Sequence, residues 1–219
     1  MRKPSLTRCS KTVNGRLASM YDWRGEPIAV CDSARNALLV IELFGDDGLN
    51  PNQKSSLLVR MLFPDPAKAV ETAGTDLADM LASVVWDAFG LDITAERAHS
   101  RSYEPAVFDW AEDAPRIRAS LLQCYGIDWD KAASTIPYAD LCALLGSLLE
   151  SDSETPFQQA IYYRTAKPPK QSKHNADLRK AWSARANHFA LGSRGGSTEA
   201  KNNAMADMFA SAKRAAKGA

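Results

Sequence analysis

The sequence predicts a mostly α-helical protein with a small N-terminal β-hairpin and a basic, partly disordered C-terminal extension. The first thirty residues contain several turn signals. Apolar residues then recur at helical spacing up to about residue 164, and after that point the composition becomes basic. We therefore expect a helical domain at 1–166. A basic linker and a helical extension are expected at 167–219.

Two turn signals divide the start of the chain. Asn14-Gly15 suits the positive-φ positions of a tight hairpin turn, and a second turn at Arg24-Gly25 precedes the short apolar run from Ile28 to Val30. This stretch predicts either one small β-hairpin or three short strands.

Capping residues mark the helices that follow. Asp32 or Ser33 is expected to begin the first helix, which ends at Gly45. Asn50-Pro51 begins the next helix, which ends before Pro64. A short helix is expected in "DPAKAVETA", and a longer one in "TDLADMLASVVWDAFG".

In that longer helix, Thr75 is the expected N-cap and Gly90 the expected stop. Later in the chain, Pro137 begins a helix with a wide leucine stripe, and Ser153 or Thr155 caps a last helix of the body. The leucines of the stripe are Leu141, Leu144, Leu145, Leu148 and Leu149, and the last helix is expected to turn Phe157, Ile161 and Tyr162 inward.

The stretch "FDWAEDAPRIRASLLQCYGIDWD" (108–130) combines aromatic residues with five carboxylates. Its middle predicts a helix that carries Pro115 in its first turn and ends at Gly126. The apolar positions predicted to face inward are Ile117, Leu121, Leu122 and Tyr125.

The carboxylates of this stretch allow two interpretations. A general acid needs a carboxyl group buried or crowded enough for its pKa to rise, and the sequence gives no reason for such burial. Asp109, Glu112 and Asp113 instead stand at the start of a helix, where negative charge is stabilising. We expect helix caps and no catalytic residues.

Charge is distributed unevenly along the chain. Residues 1–164 carry 16 Lys and Arg against 23 Asp and Glu, a balance of −7, whereas residues 165–219 carry 11 against 3, a balance of +8; together they make +1. The basic extension contains "NADLRKAWSARANHFAL", which can form an amphipathic helix through Leu178, Trp182, Ala186 and Phe189. A weaker terminal helix is expected in "AMADMFASAKRAAKG".

The extension is where we expect partner contacts. Its aromatic residues can dock on the body or on a partner, and the partner-binding residues that we predict are Trp182, Arg185, Phe189, Met205 and Met208. The same basic residues can instead bind phosphates, with Trp182 and Phe189 stacking on bases. A nucleic-acid-associated protein therefore remains the alternative function.

Motifs typical of several classes of enzyme are absent from the sequence. The sequence contains no phosphate-binding loop, dinucleotide fingerprint, nucleophile elbow or metalloprotease helix. Four scattered cysteines and three scattered histidines show no metal-ligand spacing. We expect no enzyme activity, no cofactor and no metal. No apolar run is long enough to span a membrane and no signal peptide is evident, so a cytoplasmic location is expected.

The sequence resembles the phage "gene product fifteen" family over roughly residues 12–166. The resemblance is carried by "VFDWAEDAPRIRASLLQCYGIDWDKA" and "IPYADLCALLGSLLESDSETPFQQAIYYR", and more weakly by "LFPDP" and "VVWDAFG". The matching residues are Phe108, Asp109, Asp113, Ile117, Tyr125, Gly126, Ile127, Asp128, Leu144, Leu145, Leu148 and Tyr163-Arg164. The sequence departs from the family in its longer basic extension and in the reduced aromatic pair at Pro137-Tyr138.

This resemblance implies a tail assembly chaperone of long-tailed phages. Such a protein acts in the host cytoplasm, covers the apolar surface of the long helical tape measure protein and gives way as tail tube subunits polymerise. The implied partners are therefore the tape measure protein, the tail tube protein and further copies of the chain itself. Membrane binding is not implied.

Overall fold

The computed structural model of the chain describes residues 10–93, 107–172 and 174–192. Along the chain, a small three-stranded antiparallel sheet comes first and is followed mostly by α-helices. This confirms the predicted fold class. The predicted terminal helix, with Met205 and Met208, lies outside the described residues.

The contacts within the chain define two compact units. The first comprises Met1–Tyr103 and Asp130–Leu145, and the second comprises Glu104–Trp129 and Gly146–Ala219. The division predicted from the sequence, 1–166 and 167–219, rests on the change in charge and stays a prediction.

The sheet is built from β1 (Lys11–Val13), β2 (Arg16–Trp23) and β3 (Glu26–Val30), in that order. The φ angles are 51° and 74° at Asn14-Gly15, and 52° and 90° at Arg24-Gly25. Positive φ at both central residues matches the twist of antiparallel strands joined by a two-residue turn. Of the two interpretations, three short strands is the correct one.

The helices are α1 (Ala34–Gly45), α2 (Pro51–Leu62), α3 (Pro66–Ala73), α4 (Leu77–Phe89), α5 (Ala114–Tyr125), α6 (Trp129–Ala132), α7 (Tyr138–Glu150), α8 (Pro156–Thr165) and α9 (Ala176–Phe189). Within the described ranges, no helix is both long enough and apolar enough to cross a membrane.

Most of the predicted helix ends are confirmed. Ser33, Asn50 and Thr155 each accept a hydrogen bond from a backbone N–H of the first turn, at α1, α2 and α8. Thr75 is not a cap, because it lies inside a 3₁₀ turn (Gly74–Asp76) that runs directly into α4. Asp76 therefore occupies the N-cap position, and its side chain makes no capping hydrogen bond.

Polar contacts join the sheet of the first unit to its helices. Arg16 of β2 donates to the carbonyl oxygens of Arg60 and Met61, near the end of α2, and to Oδ1 of Asn36. The hydroxyl of Tyr21 donates to Oδ2 of Asp32 over 3.1 Å. The guanidinium of Arg16 thus satisfies carbonyls that the helix itself leaves unpaired.

The apolar core of the first unit centres on α4 and the first turns of α7. Phe89 and Tyr138 are fully buried and meet edge to face, with ring centroids 5.7 Å apart. The backbone N–H of Tyr138 donates to the carbonyl of Asp32 over 2.8 Å, and Ala34 donates to Ile136 over the same distance. These bonds hold the start of α1 against the start of α7.

In the second unit, α5 buries a different face from the predicted one. Ile117 and Leu121 are buried as expected, but Leu122 is 58% exposed and Tyr125 is 37% exposed. The buried face instead includes Asp113 and Ser120, which lie in line with Ile117 and Leu121 at helical spacing.

Two other predicted stripes are confirmed only in part. Leu141, Leu145 and Leu148 of α7 are fully buried, whereas Leu144 and Leu149 are half-buried. In α8, Phe157 is buried as expected, but Tyr162 is 57% exposed. Ala160 takes the inner position instead, because it follows Phe157 by three residues on the same face.

Candidate functional site

A buried ion pair lies at the centre of the second unit. Nη1 of Arg164 donates to Oδ2 of Asp113 over 2.6 Å, and Nη2 donates to Oδ1 over 2.9 Å. The side chain of Asp113 is fully buried and that of Arg164 is 7% exposed. The planar guanidinium thus binds both carboxylate oxygens, which fixes the orientation of both side chains.

Asp113 accepts two further hydrogen bonds. Nη1 of Arg116 donates to Oδ1 over 2.8 Å, and the backbone N–H of Asp109 donates to Oδ2 over 3.1 Å. Burial by itself raises the pKa of the Asp113 carboxyl, but the bonds from Arg164, Asp109 and Arg116 outweigh burial and lower this pKa below its usual value. Asp113 therefore stays ionised.

These contacts correct two expectations about the carboxylates. Asp109 caps the turn before α5 and not the helix itself, since its Oδ1 accepts from the N–H groups of Ala111 and Glu112, each at 2.8 Å. Asp113 holds the N-cap position of α5 but makes no capping bond, because its carboxylate turns inward to the two arginines. The expectation that no carboxylate here is buried is also wrong, because Asp113 is fully buried. Its main partner, Arg164, lies 51 residues away, so the neighbouring residues give no sign of the pair.

Arg164 also contacts the end of α9. Its Nε donates to the carbonyl oxygen of Phe189, the last residue of that helix, over 2.5 Å. A cation at a helix C-terminus is stabilised by the unpaired carbonyls and the helix dipole. The remaining bond of Arg164, from Nη1 to the carbonyl of Val107, measures 3.1 Å.

The neighbouring Tyr163 brings three predicted partner-binding residues together. The ring of Tyr163 stacks on Phe189 with centroids 5.6 Å apart and lies 6.1 Å from the ring of Trp182. Nη1 of Arg185 donates to the hydroxyl of Tyr163 over 2.9 Å. Trp182, Arg185 and Phe189 therefore dock on α8, and their contact with a separate partner stays a prediction.

We call Arg116, Tyr163 and Arg164 the α9-binding surface. Arg116 completes it, since its guanidinium carbon lies 5.5 Å from the centre of the Phe189 ring. No pattern in the sequence predicts this surface. Its only signal was Tyr163-Arg164, which ends the stretch that carries the family resemblance.

The N-terminal half of α9 is more exposed than predicted. Leu178 is 59% exposed, and no residue of α9 is buried. Beyond the helix, the N–H of Gly192 donates to Oε2 of Glu112 over 3.0 Å. The contacts of α9 with Tyr163 and Arg164 come from Trp182, Arg185 and Phe189, between the middle of the helix and its C-terminal end.

Large apolar side chains are exposed on both units. In the first unit they are Met20, Leu39, Leu57, Val70 and Trp86, and in the second unit they are Leu122, Tyr125, Tyr162 and Leu178. Leu122 and Tyr125 stand three residues apart on α5, so they share one face of that helix. Exposed apolar groups of this kind can bind the apolar face of another protein.

Cysteine thiols in the described part of the chain are not paired in disulfides. Cys31 and Cys142 are buried, and Cys124 is half-buried. Burial raises the pKa of Cys142 to about 12, although the hydrogen bond with Tyr138 acts in the opposite direction. Among the described residues, no group of three or more His, Cys, Asp or Glu side chains could hold a metal ion.

Comparison with known proteins identifies the family. The family described as Bacteriophage Gp15 protein matches residues 13–186. This range extends past residue 166, where the resemblance seen in the sequence ended, and includes Trp182 and Arg185 of α9. Neither the curated proteins nor the solved structures contain a match. The match spans well over half of the chain, and the protein therefore belongs to the Bacteriophage Gp15 protein family.

Proposed function

We propose that this phage protein is a tail assembly chaperone that binds the tape measure protein and the tail tube subunits during tail morphogenesis. The observation that carries the proposal is membership of the Bacteriophage Gp15 protein family over residues 13–186. The protein would act by binding, in the host cytoplasm, without catalysis.

The exposed apolar side chains support this proposal. A tape measure protein is long and mostly helical, and its apolar faces stay uncovered until the tail tube encloses them. Helices with exposed residues such as Leu122 and Tyr125 can bind such faces. Many weak contacts along one tape would act together, so that no single contact needs high affinity.

Co-expression with the tape measure protein of the same phage tests the proposal. We expect the soluble fraction of the tape measure protein to rise with this chain and the two proteins to co-purify. Leu122→Glu should reduce both effects, because it places a charge on the exposed apolar face of α5. Gln123→Glu is the matched control, since it adds the same charge at the next exposed position. The proposal is refuted if the soluble fraction of the tape measure protein is the same with and without this chain.

The charge asymmetry favours nucleic-acid binding as a second candidate function. Lys167, Lys170 and Lys180 are exposed, whereas the guanidiniums of Arg179 and Arg185 donate to Pro169 and Tyr163 within the chain. If this second function is correct, the purified protein should carry nucleic acid that is released by salt.

A further inference from the structure

We propose that α9 is exchanged between copies of this chain, so that α9 of one copy binds the α9-binding surface (Arg116, Tyr163 and Arg164) of a second copy. This inference deepens the proposed function, because it names the surface through which copies on one tape measure protein would associate. It concerns only the chain itself, and the purified protein is enough to test it.

Release of α9 from its own copy uncovers apolar area chiefly at Trp182 and Phe189, which are half-buried. None of the residues of α9 is buried, and hydrophobic stabilisation grows with the apolar area removed from water. The contacts that hold the helix are instead the Tyr163–Phe189 stack, the bond from Arg164 to Phe189, and the bond from Arg185 to Tyr163.

Exchange restores each of these contacts. In every pair, one group belongs to α9 and the other to the α9-binding surface, so a second copy offers the same partners at the same distances. Only the linker between α8 and α9 must change its conformation. Exchange of an identical element between copies is therefore a low-cost route to a dimer.

The linker is suited to such a change. It runs from residue 166 to residue 175 and contains Pro168-Pro169, which favours extended backbone. The eleven steps from Thr165 to Ala176 can span up to about 36–40 Å at about 3.3–3.6 Å per residue. Among its described residues, the folded-back form is held by bonds close in sequence, such as Asn175 Nδ2 to the carbonyl of Lys170.

A second copy offers α9 the same charge complementarity as the chain's own surface. Residues 165–192 carry six Lys and Arg against one Asp, a balance of +5. Residues 107–129 and 146–164, which belong to the same unit, carry three Lys and Arg against seven Asp and Glu, a balance of −4. The basic helix of one copy is thus attracted to the acidic surroundings of the surface in another.

A complementation experiment tests the exchange. The molar mass of the wild-type chain, Tyr163→Ala, Phe189→Ala and an equimolar mixture of the two variants is measured by size-exclusion chromatography with light scattering. We expect a concentration-dependent dimer for the wild type and monomers for each variant alone. The mixture should regain dimer, because an intact surface from one chain meets an intact α9 from the other.

Two control variants make the result specific. Leu178→Ala lies on the exposed half of α9 and should dimerise like the wild type. Leu57→Ala removes an exposed apolar side chain of the first unit, which has no part in the α9-binding surface, and should also dimerise. Circular dichroism establishes that each variant is folded before its mass is interpreted.

Two outcomes overturn the exchange. One is a wild-type chain that stays monomeric at every concentration, and the other is a dimer that persists in both Tyr163→Ala and Phe189→Ala. Either result leaves the tape measure assay unaffected. Conversely, exchange without an effect on tape measure solubility would refute only the chaperone proposal.

Discussion

Arg164 and Asp113 form a two-bond ion pair in the interior of the second unit, although 51 residues separate them in the sequence. Arg164 stands near the end of α8 and Asp113 at the start of α5. Because the same guanidinium also donates to Val107 and Phe189, it joins the segment before α5 and the end of α9 to α8.

Loss of the Asp113 charge should strongly destabilise the second unit. Asp113→Asn leaves the buried Arg164 without its counter-charge, and breaking a buried pair in this way costs about 3–5 kcal/mol. Asp109→Asn is the control and should change stability by only a few tenths of a kcal/mol, because an Asn side chain can accept the same turn N–H bonds as Asp. Urea unfolding measures both. If both variants lose the same unfolding free energy, the role assigned to the Asp113–Arg164 pair is contradicted.

Stability should also depend on pH through Asp113. Its pKa is lowered in the folded chain, so the unfolded chain binds a proton at a higher pH than the folded chain does. The contribution is fully present above the unfolded carboxyl pKa of about 3.9 and is lost as the pH falls through the folded-state value. Unfolding free energies across the acid range should therefore fall less steeply in Asp113→Asn than in the wild type.

Ser120→Ala should cost about 1–3 kcal/mol. The hydroxyl of Ser120 accepts from the buried N–H of Phe157 over 3.1 Å and donates to the carbonyl of Arg116 over 2.7 Å. Its removal leaves an N–H in the first turn of α8 without an acceptor. Ser147→Ala, at an exposed position of α7, should be neutral or slightly stabilising. Thermal unfolding of the two variants separates these effects.

Arg16→Lys should destabilise the first unit, although it keeps the charge. One ammonium group cannot reproduce the fork of donors with which Arg16 reaches Arg60, Met61 and Asn36. We expect a loss of about 1–3 kcal/mol in urea unfolding. Arg35→Lys changes an exposed side chain on α1 and should have little effect. Similar losses in both variants would contradict the prediction.

Cysteine reactivity should follow burial. Cys142, with a pKa raised to about 12, and Cys31, whose pKa is also raised by burial, should resist alkylation in the folded protein at neutral pH. Of the three cysteines that the structure describes, Cys124 is half-buried and should react first. Peptide mass spectrometry after brief alkylation gives the order in which these cysteines react. Because the folded chain holds the Cys142 proton, stability should decline as the pH rises above the unfolded thiol pKa of about 8.5.

The sequence by itself determined most of the helix ends and turns. Ser33, Asn50 and Thr155 cap helices as predicted, and Gly90 and Gly126 adopt the left-handed conformation that ends α4 and α5. These features depend on bonds between residues within one or two turns of each other, so they can be read from neighbouring residues.

Only the tertiary structure decided which face of α5 is buried and where α9 docks. An apolar pattern favours Leu122 over Ser120, yet Ser120 lies inside because it caps α8, which is distant in sequence. Asp113 is buried because Arg164 supplies its charge partner from α8. A buried polar group is stable only when its partners are in place, and such partners are set by packing between helices that are far apart in the sequence.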